Sequence, residues 1–199
     1  KPMTGTLYLI PNHLGLSDGA IDPLARIIPE QVRHLTSQLD YFVAENAKTA
    51  RAFLKLIGNQ HPLAKPLQEI TISELNVNTP AQALAGLLAP LLAGRDAGLV
   101  SEAGVPAVAD PGADLVRLAH QHGIKVRPLV GPSSILLAVM ASGLNGQSLA
   151  FNGYLPTDAA LRAKRLKELE SHSRNEKQTQ LFIETPYRNA AMLEALVAQ

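Results

Sequence analysis

The chain contains no cysteine. That absence excludes disulfides, a thiolate nucleophile and any cysteine-ligated metal. Neither sign of charge is in excess: 18 Lys and Arg stand against 17 Asp and Glu, for a formal net charge of +1. No global field draws the chain to nucleic acid or to an acidic membrane, although a local basic patch stays open. No apolar run is long enough to span a bilayer. The opening Lys1-Pro-Met-Thr-Gly-Thr6 lacks the apolar centre of a signal peptide. The expectation is a cytoplasmic protein with no membrane partner, trimmed at its N-terminus because it does not start with Met.

Two phosphate-binding signatures are also missing. There is no Gly-x-Gly-x-x-Gly after the first strand and no Walker loop. The first strand runs instead into Pro11-Asn-His-Leu-Gly-Leu16, which is poorer in glycine than a phosphate cradle. A dinucleotide or ATP is disfavoured. No His, Asp and Glu set has metal-ligand spacing, so no metal is expected. His120 and His122 lie two apart on a helix and face different ways. His34, His61 and His172 are unremarkable, and His13 either lines a pocket or is solvated.

What is present is a globular composition, 46% hydrophobic and 18% charged. Leu7–Ile10 reads as a first strand, and Asp18 as the cap of a helix that runs to Ile28 and is ended by Pro29. Tyr41–Val43 is a strand that leads through Glu45-Asn46 into a helix over 47–57. That helix has apolar residues at Ala50, Phe53, Leu54 and Ile57, with Gly58 as its C′ residue. Residues 59–68 read as loop and 69–72 as strand. Thr79-Pro80 supplies the N-cap and first position of a helix that Pro90 kinks or splits. Strands at 97–100 and 124–130 bracket a helix over 113–121, and a serine-capped helix follows over 135–141. This alternation predicts an α/β domain with a mainly parallel sheet. The pattern restarts near Asn145-Gly146 with strands at 149–155 and 179–183 and helices at 159–171 and 190–198. The expected organisation is two α/β domains, 1–145 and 146–199, the second of them incomplete at Gln199.

The stretch Gly98-Leu-Val-Ser-Glu-Ala-Gly-Val-Pro-Ala-Val-Ala-Asp-Pro-Gly112 is a buried strand entering a loop of small residues, with acids at Glu102 and Asp110. The later strand ends in Val130-Gly-Pro-Ser-Ser134. Loops at the carboxyl ends of parallel strands are where ligands sit. Two of them, each opening a helix, point to a small-molecule pocket. Glu45, Glu102, Asp110 and Glu184 each follow an apolar strand, which would collect them along one edge of a sheet. The alternative is that they cap helices, and Asp110 before Pro111-Gly112 suits a cap as well as a site.

Several of these segments taken in order resemble a known family. They are Ser101-Glu-Ala-Gly-Val-Pro106 with Ala109-Asp-Pro-Gly112, Gly131-Pro-Ser-Ser134, Ser142-Gly-Leu144, Gly153-Tyr-Leu-Pro156 and Phe182-Ile-Glu-Thr-Pro-Tyr-Arg188. Leu7-Tyr-Leu-Ile-Pro11 and Ala44-Glu-Asn46 fit the same pattern. The family is the tetrapyrrole methylase superfamily, and the resemblance is strongest to its ribosomal-RNA branch, which methylates a cytidine ribose of 16S RNA. The resemblance implies a class III methyltransferase that holds S-adenosylmethionine in a cleft between its domains and forms homodimers. Its partners would be ribosomal RNA or the small ribosomal subunit. Cofactor-binding positions would fall on Glu102, Ala103, Gly104 and Val105, on Ser133 and Ser134, and on backbone near Tyr154 and Ile183. Pro11, Asn12, His13 and Gly15 would border the acceptor, with Glu45 as a catalytic or positioning acid. Small residues suit such a ligand, because glycine and alanine let main-chain groups come close. Gly104→Val is therefore expected to abolish cofactor binding without unfolding the protein.

The chain also departs from the branch. Asn12-His-Leu-Gly-Leu16 replaces Thr-Pro-Ile-Gly-Asn, Glu102 and Val105 replace Asp and Thr, and Tyr187 replaces His. Thr157-Asp158 stand where the branch carries lysines, a loss that Arg162, Lys164, Arg165 and Lys167 partly restore. These departures keep two other readings open: a degenerate, non-enzymatic paralogue that binds S-adenosylmethionine, and a methyltransferase for a small tetrapyrrole-type molecule.

Overall fold

The computed structural model describes residues 3–15 and 22–199. They divide into two compact units, Lys1–Ser134 and Ile135–Gln199. The first unit alternates β1 (Thr6–Ile10), α1 (Glu30–Ser37), β2 (Tyr41–Ala44), α2 (Ala47–Gly58), β3 (Thr71–Glu74), α3 (Leu84–Leu92), β4 (Ala97–Val100), α4 (Gly112–Gln121) and β5 (Lys125–Pro128). These strands form one five-stranded parallel sheet in the order β3-β2-β4-β1-β5.

Strand side chains alternate between two cores, as a period of two requires. Leu7, Tyr41, Val43 and Leu99 join Leu88 and Leu91 of α3 and Leu115 and Ala119 of α4. Ile10, Phe42 and Val100 join Val32 of α1 and Phe53, Leu54 and Ile57 of α2. Helices therefore cover both faces, which explains why β2 and β4 are buried at every position. The apolar stripe of α2 is the one that its spacing predicts, and Asn46 caps it by accepting from the Lys48 and Thr49 backbone N–H groups at 2.8 and 3.2 Å.

Other expectations are corrected. Residues 22–28 are turns rather than the end of a helix, and Pro29 precedes helix α1 instead of stopping one. A proline fixes φ near the helical value and needs no donor in the first turn, so it opens helices as readily as it closes them. Asp18, the expected cap, and Leu16 lie outside the described residues. Gly58 is the last helical residue of α2 rather than a C′ glycine. A side chain there would meet Leu63 Cγ at 3.2 Å. Strand β3 starts at Thr71, because Leu67–Glu69 form a 3₁₀ turn. Thr79 is not an N-cap: its hydroxyl accepts from the Asn76 N–H at 3.0 Å, and a 3₁₀ turn over Ala81–Ala83 separates it from α3. Helix α3 passes through Pro90 unbroken and ends shortly after it. A proline in the last turn removes one hydrogen bond and leaves little helix to kink.

The second unit contains α5 (Ser134–Ser142), β6 (Leu149–Tyr154), α6 (Ala159–Glu176), β7 (Thr179–Ile183) and α7 (Asn189–Val197). It begins at Ile135, the second residue of α5, whereas the sequence pattern restarts after Asn145. β6 and β7 pair in parallel, with an irregularity between Phe151 and Tyr154 where Gly153 takes φ +64°. Its core is small: Leu155, Leu166, Leu169 and Met192, with Phe182 and Ala195 packed against them. No helix among the described residues is long and apolar enough to cross a membrane.

Candidate functional site

The sheet order places the candidate loop. β4 lies between β2 and β1. Helices α1 and α2 pack on each other, and so do α3 and α4, against the two opposite cores. Connections from β1 and β2 therefore travel one way across one face, while the connection from β4 travels the other way across the other. The carboxyl end of β4 is a topological switch point, where open α/β sheets form their binding crevices.

The loop that leaves β4 is held by its own side chains. The Ser101 hydroxyl lies 2.9 Å from the Gly104 carbonyl and 3.2 Å from that of Ala103, as donor to each. Asp110 Oδ1 accepts from the Ala107 N–H at 3.0 Å and the Gly112 N–H at 2.8 Å, which ties the loop to the start of α4. The capping reading of Asp110 thus describes its contacts. Gly104, Ala107 and Ala109 all take positive φ, at +66°, +64° and +60°. For two alanines this is stored strain, of the kind that clusters at ligand sites.

Three loops interlock here. The Asn12 N–H donates to the Gly104 carbonyl at 2.9 Å, the Gly104 N–H to the His13 carbonyl at 3.4 Å, and the Val105 N–H to the Pro132 carbonyl at 3.1 Å. Asn12 is only 3% exposed, and its amide donates to the Ser101 and Glu102 carbonyls at 3.1 and 3.4 Å. A Cβ on Gly131 would lie 2.0 Å from Pro11 Cβ, and one on Gly104 would lie 3.0 Å from both the Pro132 oxygen and Leu14 Cδ2. The loops after β1, β4 and β5 touch backbone to backbone, and only small residues permit it.

Acids line this edge. Glu102 accepts from the Thr49 hydroxyl at 2.7 Å. Burial raises the pKa of Glu45, and the charges of Asp110 and then Glu102 raise it further, while the Glu102 backbone amide opposes them. Burial also raises Asp110, against the amides of Gly112 and Ala107 that stabilise its charge. Burial lowers the pKa of His13, whose Nδ1 is buried without a hydrogen-bond partner. Glu45, Glu102 and Asp110 are thus brought together, with Pro11, Asn12 and His13 beside them. Gly15 ends the described part of the first loop. Ser133 precedes α5 and Ser134 opens it.

Glu184 belongs to the second unit. There Arg188 Nε donates to it at 2.8 Å, and that bond, followed by the Thr185 amide, holds its carboxyl below the usual range. Tyr154 and Ile183 are paired at the carboxyl ends of β6 and β7. Sequence reasoning missed Thr49 and the clamping role of Asn12. The signal for Thr49 was its place in the first turn of α2, beside the loop that holds Glu45. Among the described residues, no group of three His, Asp or Glu side chains is placed to hold a metal.

No family model matches the chain. Curated relatives do. A ribosomal RNA small subunit methyltransferase I from Xylella fastidiosa is 31% identical over 96% of this chain and 63% of its own length. The chain is a relative of the ribosomal RNA small subunit methyltransferases I. The Vibrio cholerae protein of that name is 32% identical over 96% of this chain and 59% of its own length. The Escherichia coli O157:H7 protein is 31% identical over 98% and 60%. The chain thus spans about three fifths of the length of these methyltransferases. Among solved structures, a uroporphyrin-III C-methyltransferase from Thermus thermophilus superposes with a TM-score of 0.51 at 20% identity, over 83% of this chain and 72% of that one. It shares the fold, as the resemblance implied.

Proposed function

We propose that this chain is an S-adenosylmethionine-dependent methyltransferase that acts on ribosomal RNA, at a ribose 2′-hydroxyl. The observation that carries the reading is the interlocked, backbone-lined loop at the switch point, in a chain whose relatives are named for methylating small-subunit ribosomal RNA. The residues suit the cofactor. Ala103, Gly104 and Val105 offer main-chain groups with little side chain in the way, and the acid Glu102 suits a cationic ligand that carries ribose hydroxyls. Ser133, Ser134, Tyr154 and Ile183 are assigned to the cofactor by resemblance. S-adenosylmethionine would supply an already activated methyl group. The chain's own task is to orient the acceptor and receive its proton.

Pro11, His13 and Gly15 border the acceptor in this reading, and Asn12 fixes their loop against β4. Glu45 receives the hydroxyl proton. Its raised pKa brings it nearer neutral pH, where a carboxylate is a better base. Glu45→Gln is expected to lower methyl transfer by roughly 10²–10⁴-fold while leaving cofactor affinity within a few-fold. Equal losses in both would make Glu45 a binding residue instead. A homodimer and a cytoplasmic location belong to the same proposal.

The first test is calorimetric titration of the folded chain with S-adenosylmethionine and S-adenosylhomocysteine, followed by transfer of labelled methyl to small-subunit RNA that lacks the modification. Micromolar binding with transfer is expected. Absence of binding would overturn the reading. Binding without transfer would favour the non-enzymatic paralogue.

A further inference from the structure

Arg162, Lys164, Arg165 and Lys167 cluster in the first half of helix α6, and Glu168, Glu170, Arg174 and Glu176 share its second. Leu166 and Leu169 anchor the helix in the core, and Lys164 and Lys167, one turn apart, are exposed. Neither lysine makes an ion pair among the described residues, whereas Arg165 pairs with Glu168. With Glu168, Ser171 and His172 they line an open depression of about 400 Å³.

The parallel pairing of β6 and β7 brings a second feature to the same end of this unit. α6 begins just after the carboxyl end of β6, and Tyr187-Arg188 follow the carboxyl end of β7. Tyr187 is 81% exposed. The Arg188 guanidinium lies 5.1 Å from its ring centroid, and Glu184 fixes that guanidinium through its Nε. One face of the ring is thus backed by a held cation and the rest is open to solvent. Tyr154 is also exposed and close enough to influence Arg188 electrostatically. Exposed aromatics beside an arginine, with unpaired lysines on the helix of the same unit, form the combination that stacks unpaired bases and tracks a backbone.

We infer that this end of the second unit binds single-stranded RNA, with Lys164 and Lys167 on phosphates and the Tyr187-Arg188 pair stacked on a base. The inference rests on the reading of RNA as the methyl acceptor, but binding measured without cofactor separates the two. Failure of methyl transfer would leave this surface standing.

The experiment is fluorescence anisotropy of the 199-residue chain with a labelled twelve-nucleotide single-stranded RNA, across about 50–200 mM salt. K164Q/K167Q is expected to weaken binding and to flatten the plot of log affinity against log salt by about 1.4, since each phosphate contact on a single strand contributes roughly 0.7. Y187A is expected to weaken binding by about 5- to 150-fold at an unchanged slope, and Y187F to restore it. All these side chains are exposed, and circular dichroism checks that each variant is folded. No binding by the parent chain at the lowest salt, or variants that match it at every salt, would overturn the inference. Equal binding of an RNA duplex, with no effect of Y187A, would also overturn it.

Discussion

Ala107 and Ala109 sit at φ +64° and +60°, where an L side chain crowds its own backbone at a cost of roughly 1–2 kcal/mol per residue. Asp110 holds Ala107 there by accepting from its N–H. Ala107→Gly should raise stability by about 1 kcal/mol at most, because glycine's greater freedom when unfolded offsets part of the relief. A higher urea midpoint at an unchanged slope would verify this, and a lower midpoint would mean that the methyl group is needed for packing. Gly104 behaves differently from its sequence-based expectation. At φ +66°, with the Pro132 oxygen 3.0 Å from any Cβ, Gly104→Val strains the joint between loops as well as filling the space proposed for the ligand. It therefore cannot remove binding while leaving the fold untouched. Charge at this edge sets a pH dependence. Glu45 and Asp110 have raised pKa values in the folded state, so the folded chain binds more protons than the unfolded chain above the ordinary carboxylate range. Stability contributed by these groups falls as pH rises through that window. Asp40 opposes the trend: hydrogen bonds from Lys65 and then Arg95 lower its pKa, and its contribution is lost as pH falls. Glu45→Gln should stabilise the chain more at pH 7 than at pH 5, as read by urea titration at both. An equal gain at the two would remove Glu45 from the account.

At the scale of elements, α2 joins sequence to site most directly. Asn46 caps it, and one turn in, Thr49 donates to Glu102. Asn46→Ala should cost about 1 kcal/mol, and Asn46→Asp should recover most of it. A loss of cofactor affinity in the alanine variant alone would show that the cap also steadies Glu102. Helices α2 and α4 were legible because their apolar spacing is strong, and most strands because they are short apolar runs bounded by turn residues. Helix α1 was not. Pro29 reads equally well as a stop or a start, and only Val32 packed into the α2 core decides between them. Thr79-Pro80 failed for a similar reason, because the threonine hydroxyl serves Asn76 instead of α3. At the site, the small-residue loop and its acids were readable from composition and from resemblance. The left-handed alanines and the Asn12 clamp were not, because their geometry comes from partners distant in sequence: Asn12 bonds across 89 residues to Ser101.

The whole molecule distributes its apolar burial unevenly. The first unit has two cores on opposite faces of a five-stranded sheet. The second relies on Leu155, Leu166, Leu169 and Met192 against two strands, and two strands alone are marginal in water. Local opening free energy follows buried contacts. Amides of β1, β2 and β4 should therefore exchange most slowly with solvent deuterium, and those of β6 and β7 faster. Leu166→Ala sharpens the contrast, since removing a buried leucine side chain costs about 2–5 kcal/mol. In a core this small, that loss should open the second unit at equilibrium while β1, β2 and β4 keep their protection. The same variant tests where RNA recognition resides. If single-stranded RNA binds through α6 and Tyr187, Leu166→Ala should weaken RNA binding more than it weakens protection in the parallel sheet of the first unit. RNA affinity that survives the opening of the second unit would place recognition on the loops after β1 and β4 instead.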